Sequence, residues 1–159
     1  MPFRIRNVAV DWFKDIRGAF GSAPMFDMYY FCLLTGLGAG RITSVPDSET
    51  AELIDSFPSD YSTQGRLIIA LFLNRELKRQ GVTLGERAAV NTCIRRLVDP
   101  NTPSRLSSDG LKIMNQYAHG GFELLSSSDW FADRPRTLNF FLSMFHRRVN
   151  DLLTPQSPS

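Results

Sequence analysis

A chain of 159 residues with 43% hydrophobic and 21% charged content is large enough to bury a full core in one domain without disulfides or a structural metal. The longest apolar run, Met28 to Gly40, is broken by Thr35 and three glycines and falls short of the ~20 residues that a spanning helix needs, which excludes a membrane span. Met1 to Val10 carries Arg4 and Arg6 but no apolar h-region, and Cys32 and Cys93 lie in apolar surroundings that suit reduced buried thiols, so a soluble cytoplasmic protein is expected.

Along the chain, nearly every segment has three- and four-residue apolar spacing, and none shows sustained period-two alternation. Val8, Trp12, Phe13, Ile16 and Phe20 predict one face of a first helix closed by Gly21. A second helix is predicted from Phe26 to about Leu37, with Pro24 and Asp27 near its start and Gly36, Gly38 and Gly40 ending it. It is apolar nearly all round and therefore central. Val45 to Phe57 reads as a linker holding a short acidic helix, stopped before Pro58. The third helix spans Ser62 to Gln80. Its run Leu67 to Leu73 would also suit a buried strand, but its length and polar ending favour helix. Lys78 and Arg79 suit the negative end of the helix dipole, with Gly81 following as a C′ residue.

Thr83 with Glu86 three residues later is a capping-box pattern and predicts the start of a fourth helix. That helix packs Ala89 or Val90, Cys93, Ile94 and Leu97 and ends near Asp99-Pro100. Asn101 to Arg105 is a loop, stiffened by proline, and Ser107, Ser108 and Asp109 are candidate caps for a fifth helix from Leu111 to about Ala118. His119-Gly120-Gly121 is expected to interrupt or kink it. After a second loop, Ser126 to Asp133, Pro135 fits the first position of a last helix. Leu138, Phe141, Leu142, Phe145, Val149 and Leu152 form its inner face, with Arg136, Asn139, Ser143, Arg147 and Asn150 outward. The expected fold is all-α: one compact domain of about six helices over residues 1–153, centred on Phe26–Leu37, Ser62–Gln80 and Pro135–Leu153. Residues 154–159 are expected to be a disordered tail.

The formal charge of +2 conceals a sharp segregation. Gly21 to Gly65 holds one base (Arg41) against six acids, and Arg66 to Lys112 holds nine bases against four acids. Such a swing points to partners, nucleic acid among them. Fifteen of the eighteen bases are Arg, whose planar fork suits phosphate and carboxylate; a GC-rich genome would give the same bias.

Leu77 to Arg87 has the outline of a helix-turn-helix, with a glycine in the turn and a hydroxyl cap after it. Arg87 stands where an apolar packing residue is expected, however, so an ordinary helical hairpin with a solvated basic face is the preferred reading. On the helix-turn-helix reading Arg87, Asn91 and Arg95 fall four apart on the exposed face, where bidentate Arg and Asn are expected to reach base edges or phosphates. Arg96 and Arg105, in the same helix and the loop after it, complete the candidate nucleic-acid-binding group. Gly36-x-Gly38-x-Gly40 follows a helix rather than a strand, so helix termination is favoured over a phosphate cradle. No G-x-S-x-G turn accompanies His119-Gly120-Gly121, and neither His119 nor His146 has a His or Cys at ligand spacing. No catalytic residue, metal ligand or cofactor is assigned.

The run Phe26-Asp27-Met28-Tyr29-Tyr30-Phe31-Cys32-Leu33-Leu34-Thr35-Gly36-Leu37, with the later Leu67 to Leu73 helix and its basic end, resembles small helical accessory proteins of bacterial DNA-modification and phage-defence operons, of the phosphorothioation type. The resemblance covers two helices and transfers no functional residue. It implies a non-catalytic subunit acting beside larger enzymes on DNA. The preferred expectation is therefore a binding or adaptor subunit that contacts nucleic acid through a basic helix. The alternative is a protein–protein module, a homo-oligomer that pairs acidic and basic faces. A third reading is an enzyme site near Tyr117, His119 and Glu123.

Overall fold

The computed structural model describes residues 1–154, so all of the expected tail beyond Thr154 lies outside the described residues. Two helices form its spine. These are α2 (Pro24–Ala39), with a proline in its first turn, and α5 (Ser108–Leu125). They meet backbone to backbone. A Cβ on Gly36 would stand 1.9 Å from the carbonyl oxygen of Tyr117, and one on Gly121 would stand 1.7 Å from that of Cys32. This packing corrects two expectations. Gly36 lies inside α2, which ends only at Gly40 in the left-handed region at φ 66°. Equally, α5 runs unbroken through His119-Gly120-Gly121. Each helical glycine costs ~1 kcal/mol of propensity, but close approach of the spine helices offsets that cost.

The N-terminus departs from the periodicity reading. Strand β1 (Arg4–Arg6) pairs antiparallel with β2 (Thr50–Glu52), Ile5 opposite Ala51. Three residues per strand are too few for alternation to stand out in sequence. The first helix, α1, covers only Asn7–Trp12, followed by turns and a 3-10 turn at Arg17–Ala19. Val8 is consequently 54% exposed rather than in the core. Phe13 and Ile16 are buried as expected, and Phe13 packs edge-on against Phe141 at 5.5 Å. The short acidic helix is a 3-10 turn, Asp47–Glu49, leading into β2.

Helix α3 (Ser62–Arg79) was expected at the centre and lies instead at the periphery, because α5 occupies the place beside α2. Its apolar run buries Ile68 and Phe72 and leaves Leu67 and Leu71 exposed. It also carries a fully buried carboxylate, Glu76. Arg79 donates to it through Nε at 2.8 Å and Nη2 at 2.7 Å, and the Tyr117 hydroxyl donates at 2.7 Å. Arg75 has a structural task too: its Nε and Nη2 donate to the Leu37 and Gly38 carbonyls, 2.7 and 2.8 Å away, at the open end of α2.

Helix α4 (Arg87–Leu97) begins four residues after the expected cap. The Thr83 N–H and hydroxyl both donate to Glu86 Oε2, but this pair closes a turn before the helix rather than capping it. Ser107 does cap α5, accepting from the Gly110 N–H at 2.9 Å while its hydroxyl donates to the Arg96 carbonyl. Helix α6 (Leu138–Leu153) is capped by Thr137 rather than opened by Pro135, which is buried in the preceding loop. It presents Phe141 and Phe145 to Phe31 at 5.0 and 4.9 Å, and Leu142, expected inward, is exposed. The fold is thus all-α, with six α-helices and one two-stranded ribbon among the described residues. Both cysteines are buried and unpaired. No helix of the described residues is long and apolar enough to cross a membrane.

Candidate nucleic-acid interface

The amphipathicity of α4 decides which residues it offers. Cys93 and Leu97 are buried and Val90 and Ile94 half-buried, an inner stripe at three- and four-residue spacing against α3 and α5. That rotation puts Arg87, Asn91 and Arg95 on the opposite side, all exposed, with Arg96 exposed next to them. Arg95 and Arg96 stand in the last turn, where the helix dipole favours cations. Arg87 has no such justification. It is the first residue of the helix, with no acid in that turn, at the end where a cation costs about 0.3–1 kcal/mol.

Beyond α4 the chain folds back on itself. Val98 bridges Leu106, the Asp99 N–H donates to the Arg105 carbonyl, and the Thr102 hydroxyl lies 2.7 Å from the Leu106 carbonyl. Arg105 closes this loop at φ 64°, the only non-glycine residue among those described with a positive φ. Its side chain lines a cavity of about 150 Å³ together with Ser56, Ser62 and Arg66. Arg66 was not among the expected contact residues. Its signal in the sequence was its position: it opens the basic segment one turn into α3, where no helix-end role requires a cation.

Arg66, Arg87, Arg95, Arg96 and Arg105 share one property. None has a carboxylate within 4.0 Å among the described residues, a property shared with Arg6, Arg17, Arg75, Arg147 and Arg148, whereas Arg4, Arg41, Arg79, Arg134 and Arg136 all have one. The acidic linker therefore does not compete for the cations of α4. Its Asp47 and Glu52 face Arg4, at 3.8 and 2.8 Å, and Asp60 accepts from the Ser22 hydroxyl. The α3–α4 connection runs over residues 80–86, longer than the three or four residues of a helix-turn-helix, so the hairpin reading stands.

The third grouping considered from sequence does not assemble. The Tyr117 hydroxyl is committed to Glu76. Glu123 accepts from Arg41 at 2.5 Å and from Thr43 at 3.0 Å, and these bonds hold its carboxyl below the usual range. His119 is buried with no partner for Nδ1 among the described residues. Burial, then the Arg6 and Arg4 charges, lower its pKa to about 4. No cluster of three His, Cys, Asp or Glu that could hold a metal ion occurs among the described residues.

Comparison with family models, with curated proteins and with solved structures finds no match. Fold and site together define a class: an all-α protein whose fourth helix and following loop carry arginines without acidic partners.

Proposed function

We propose that the protein is a non-enzymatic subunit that contacts the phosphate backbone of nucleic acid through Arg66, Arg87, Arg95, Arg96 and Arg105, with Asn91 between them on α4. The observation that carries this reading is that these five guanidinium groups are exposed and have neither a carboxylate within 4.0 Å nor a hydrogen-bond partner among the described residues, while six of the ten other arginines are held by a carboxylate or, for Arg75, by backbone carbonyls. Guanidinium forks match phosphate oxygens in pairs, and an uncompensated set on α4, the loop after it and the start of α3 follows a polyanion better than a point site. Membership of a bacterial DNA-modification or phage-defence complex is the part of the reading supported by the resemblance of the α2 and α3 segments.

Duplex DNA binding across a salt series tests it. Five phosphate contacts give a log–log slope of about −4 to −5, a loss of roughly 500-fold between 50 and 200 mM salt. The triple reversal Arg87→Glu, Arg95→Glu, Arg96→Glu should abolish binding; it costs about 0.3–1 kcal/mol against the helix dipole at each last-turn position and regains as much at Arg87, so the melt should move by only a few degrees. A flat salt response, or retained binding by the triple variant, overturns the reading. A second reading is self-association of acidic and basic faces. It is favoured by Glu49 and Asp55, which like the α4 arginines have no opposite charge within 4.0 Å among the described residues. Its signature is a salt-sensitive oligomer in light scattering; a monomer at every salt concentration removes it.

A further inference from the structure

Away from α4, Arg4 of β1 and the middle of α5 line a partly open cavity of about 310 Å³. Arg4, Lys112, Gln116 and His119 line it, and Ser44 and Asp47 from the segment after α2 close it. A volume of this order suits a small ligand.

His119 is the informative residue. It is only 4% exposed, lines the cavity, and keeps Nδ1 sealed from solvent without a hydrogen-bond partner among the described residues. A buried polar atom left unpaired costs about 1–3 kcal/mol. Arg6, two residues from Arg4 on the same strand, repeats the pattern: its Nε is buried and unpartnered, and its guanidinium carbon lies 5.9 Å from the centre of the Phe122 ring. Asn115, which also lines the cavity, shows what a satisfied residue looks like there. Its Oδ1 accepts from the Tyr29 hydroxyl at 2.8 Å and the Arg4 N–H at 3.1 Å, and its Nδ2 donates to the Pro2 carbonyl at 3.3 Å.

The charges around His119 are unbalanced. Arg4 and Arg6 face it from β1, Lys112 lies on the shared wall, and Asp47 is the one carboxylate lining the cavity. Arg4 is already bound by Glu52, but Lys112 and Arg6 have no carboxylate within 4.0 Å among the described residues. Nδ1 is closed to the cavity, so a neutral imidazole can donate there only through Nε2, which has no hydrogen-bond partner among the described residues. An unspent donor and the Lys112 charge on one small cavity, with the Arg6 charge acting on His119 from beside it, suit an acceptor that is negative.

We propose that this cavity binds an oxyanion, the phosphate or carboxylate group of a small ligand, with Lys112 supplying charge and His119 the hydrogen-bond donor. The site is independent of the α4 arginines. An anion seated there stabilises the imidazolium, so occupancy and His119 protonation are coupled.

The full chain is titrated with inorganic phosphate, with acetate and, as an ionic-strength control, with chloride, while NMR follows the imidazoles of His119 and His146. The expected result is a saturable shift of His119 with phosphate, acetate or both, an upward move of its midpoint from about 4, and no response of His146. Phosphate alone identifies a phosphoryl group, acetate alone a carboxylate. Lys112→Glu weakens binding at least about tenfold by replacing attraction with repulsion, and leaves the melt unchanged because Lys112 is exposed and unpartnered. No saturable shift at His119 up to about 50 mM of either oxyanion, or the same shift in Lys112→Glu, overturns the proposal.

Discussion

Arg105 offers the sharpest separation of stability from function. At φ 64° an L-residue sits in a conformation that costs roughly 1–2 kcal/mol, and only glycine adopts it freely. The Arg105 guanidinium has no hydrogen-bond or ion-pair partner among the described residues, so deleting it removes no fold contact of that kind. Arg105→Gly thus relieves the backbone but gives up about 0.5–1 kcal/mol of chain entropy, leaving the variant between neutral and ~1 kcal/mol more stable. That gain corresponds to about 2–4 °C in Tm for a chain of this size. Arg105→Ala, which removes the side chain and keeps the strain, should show no gain. Both variants should lose one phosphate contact, making the salt slope of duplex binding shallower by about 0.9. Urea denaturation and a salt series on all three proteins supply the comparison. A loss of more than about 1 kcal/mol in Arg105→Gly would mean that the guanidinium holds the loop, and an unaltered slope would remove Arg105 from the contact surface.

The spine and the buried carboxylate give two further expectations. Gly121→Ala should cost about 3 kcal/mol or more, since its Cβ would meet the Cys32 carbonyl; Gly38→Ala, in ordinary contact at 3.5 Å with Leu152, should be neutral or up to ~1 kcal/mol stabilising. Equal melts for the two alanine variants would contradict the close helix crossing. For Glu76, burial pushes the carboxyl up, but donors from Arg79, Tyr117 and Gln80 outweigh it and hold the pKa below the usual range. A folded pKa below the unfolded value of about 4.3 means that this stabilisation is complete above that pH and is lost as pH falls through the lowered folded value. Glu76→Gln should cost about 1–3 kcal/mol at neutral pH and flatten the acid limb of the stability profile; an unchanged limb in chemical denaturation across pH 2–6 would speak against the network.

The helices most legible in sequence were those whose burial is one-sided or complete. Phe26–Leu37 lies inside the observed α2, and Ser62–Gln80 matches α3 to within one residue. The exposed face of α4 was readable for the same reason: Cys93 and Leu97 fix its rotation, and Arg87, Asn91 and Arg95 follow. What escaped was whatever depends on distant segments. The β1–β2 ribbon joins residues nearly fifty positions apart, and neither strand is long enough to announce itself. His119-Gly120-Gly121 resembled a break because local propensity speaks against glycine, and only the approach of α2 explains why the helix continues. Thr83 is the opposite case: its bonds to Glu86 form as the capping pattern implies, but they close a turn ahead of the helix. Arg66 joined Arg105 only through folding, since the two are brought to one cavity from different elements.

Among the described residues four glycines meet another segment backbone to backbone: Gly36 on Tyr117, Gly121 on Cys32, Gly120 on Arg41 and Gly110 on Leu97. None has space for a methyl group. The exposed arginines of α4 can be exchanged with little effect on the architecture, whereas these four positions are dictated by geometry whatever the molecule binds. They form a fingerprint of the fold rather than of its chemistry. A chain with a wholly different surface that keeps a glycine late in one apolar helix, and glycines near the start and in the last turns of a second, can be recognised as kin where residue-by-residue identity has faded.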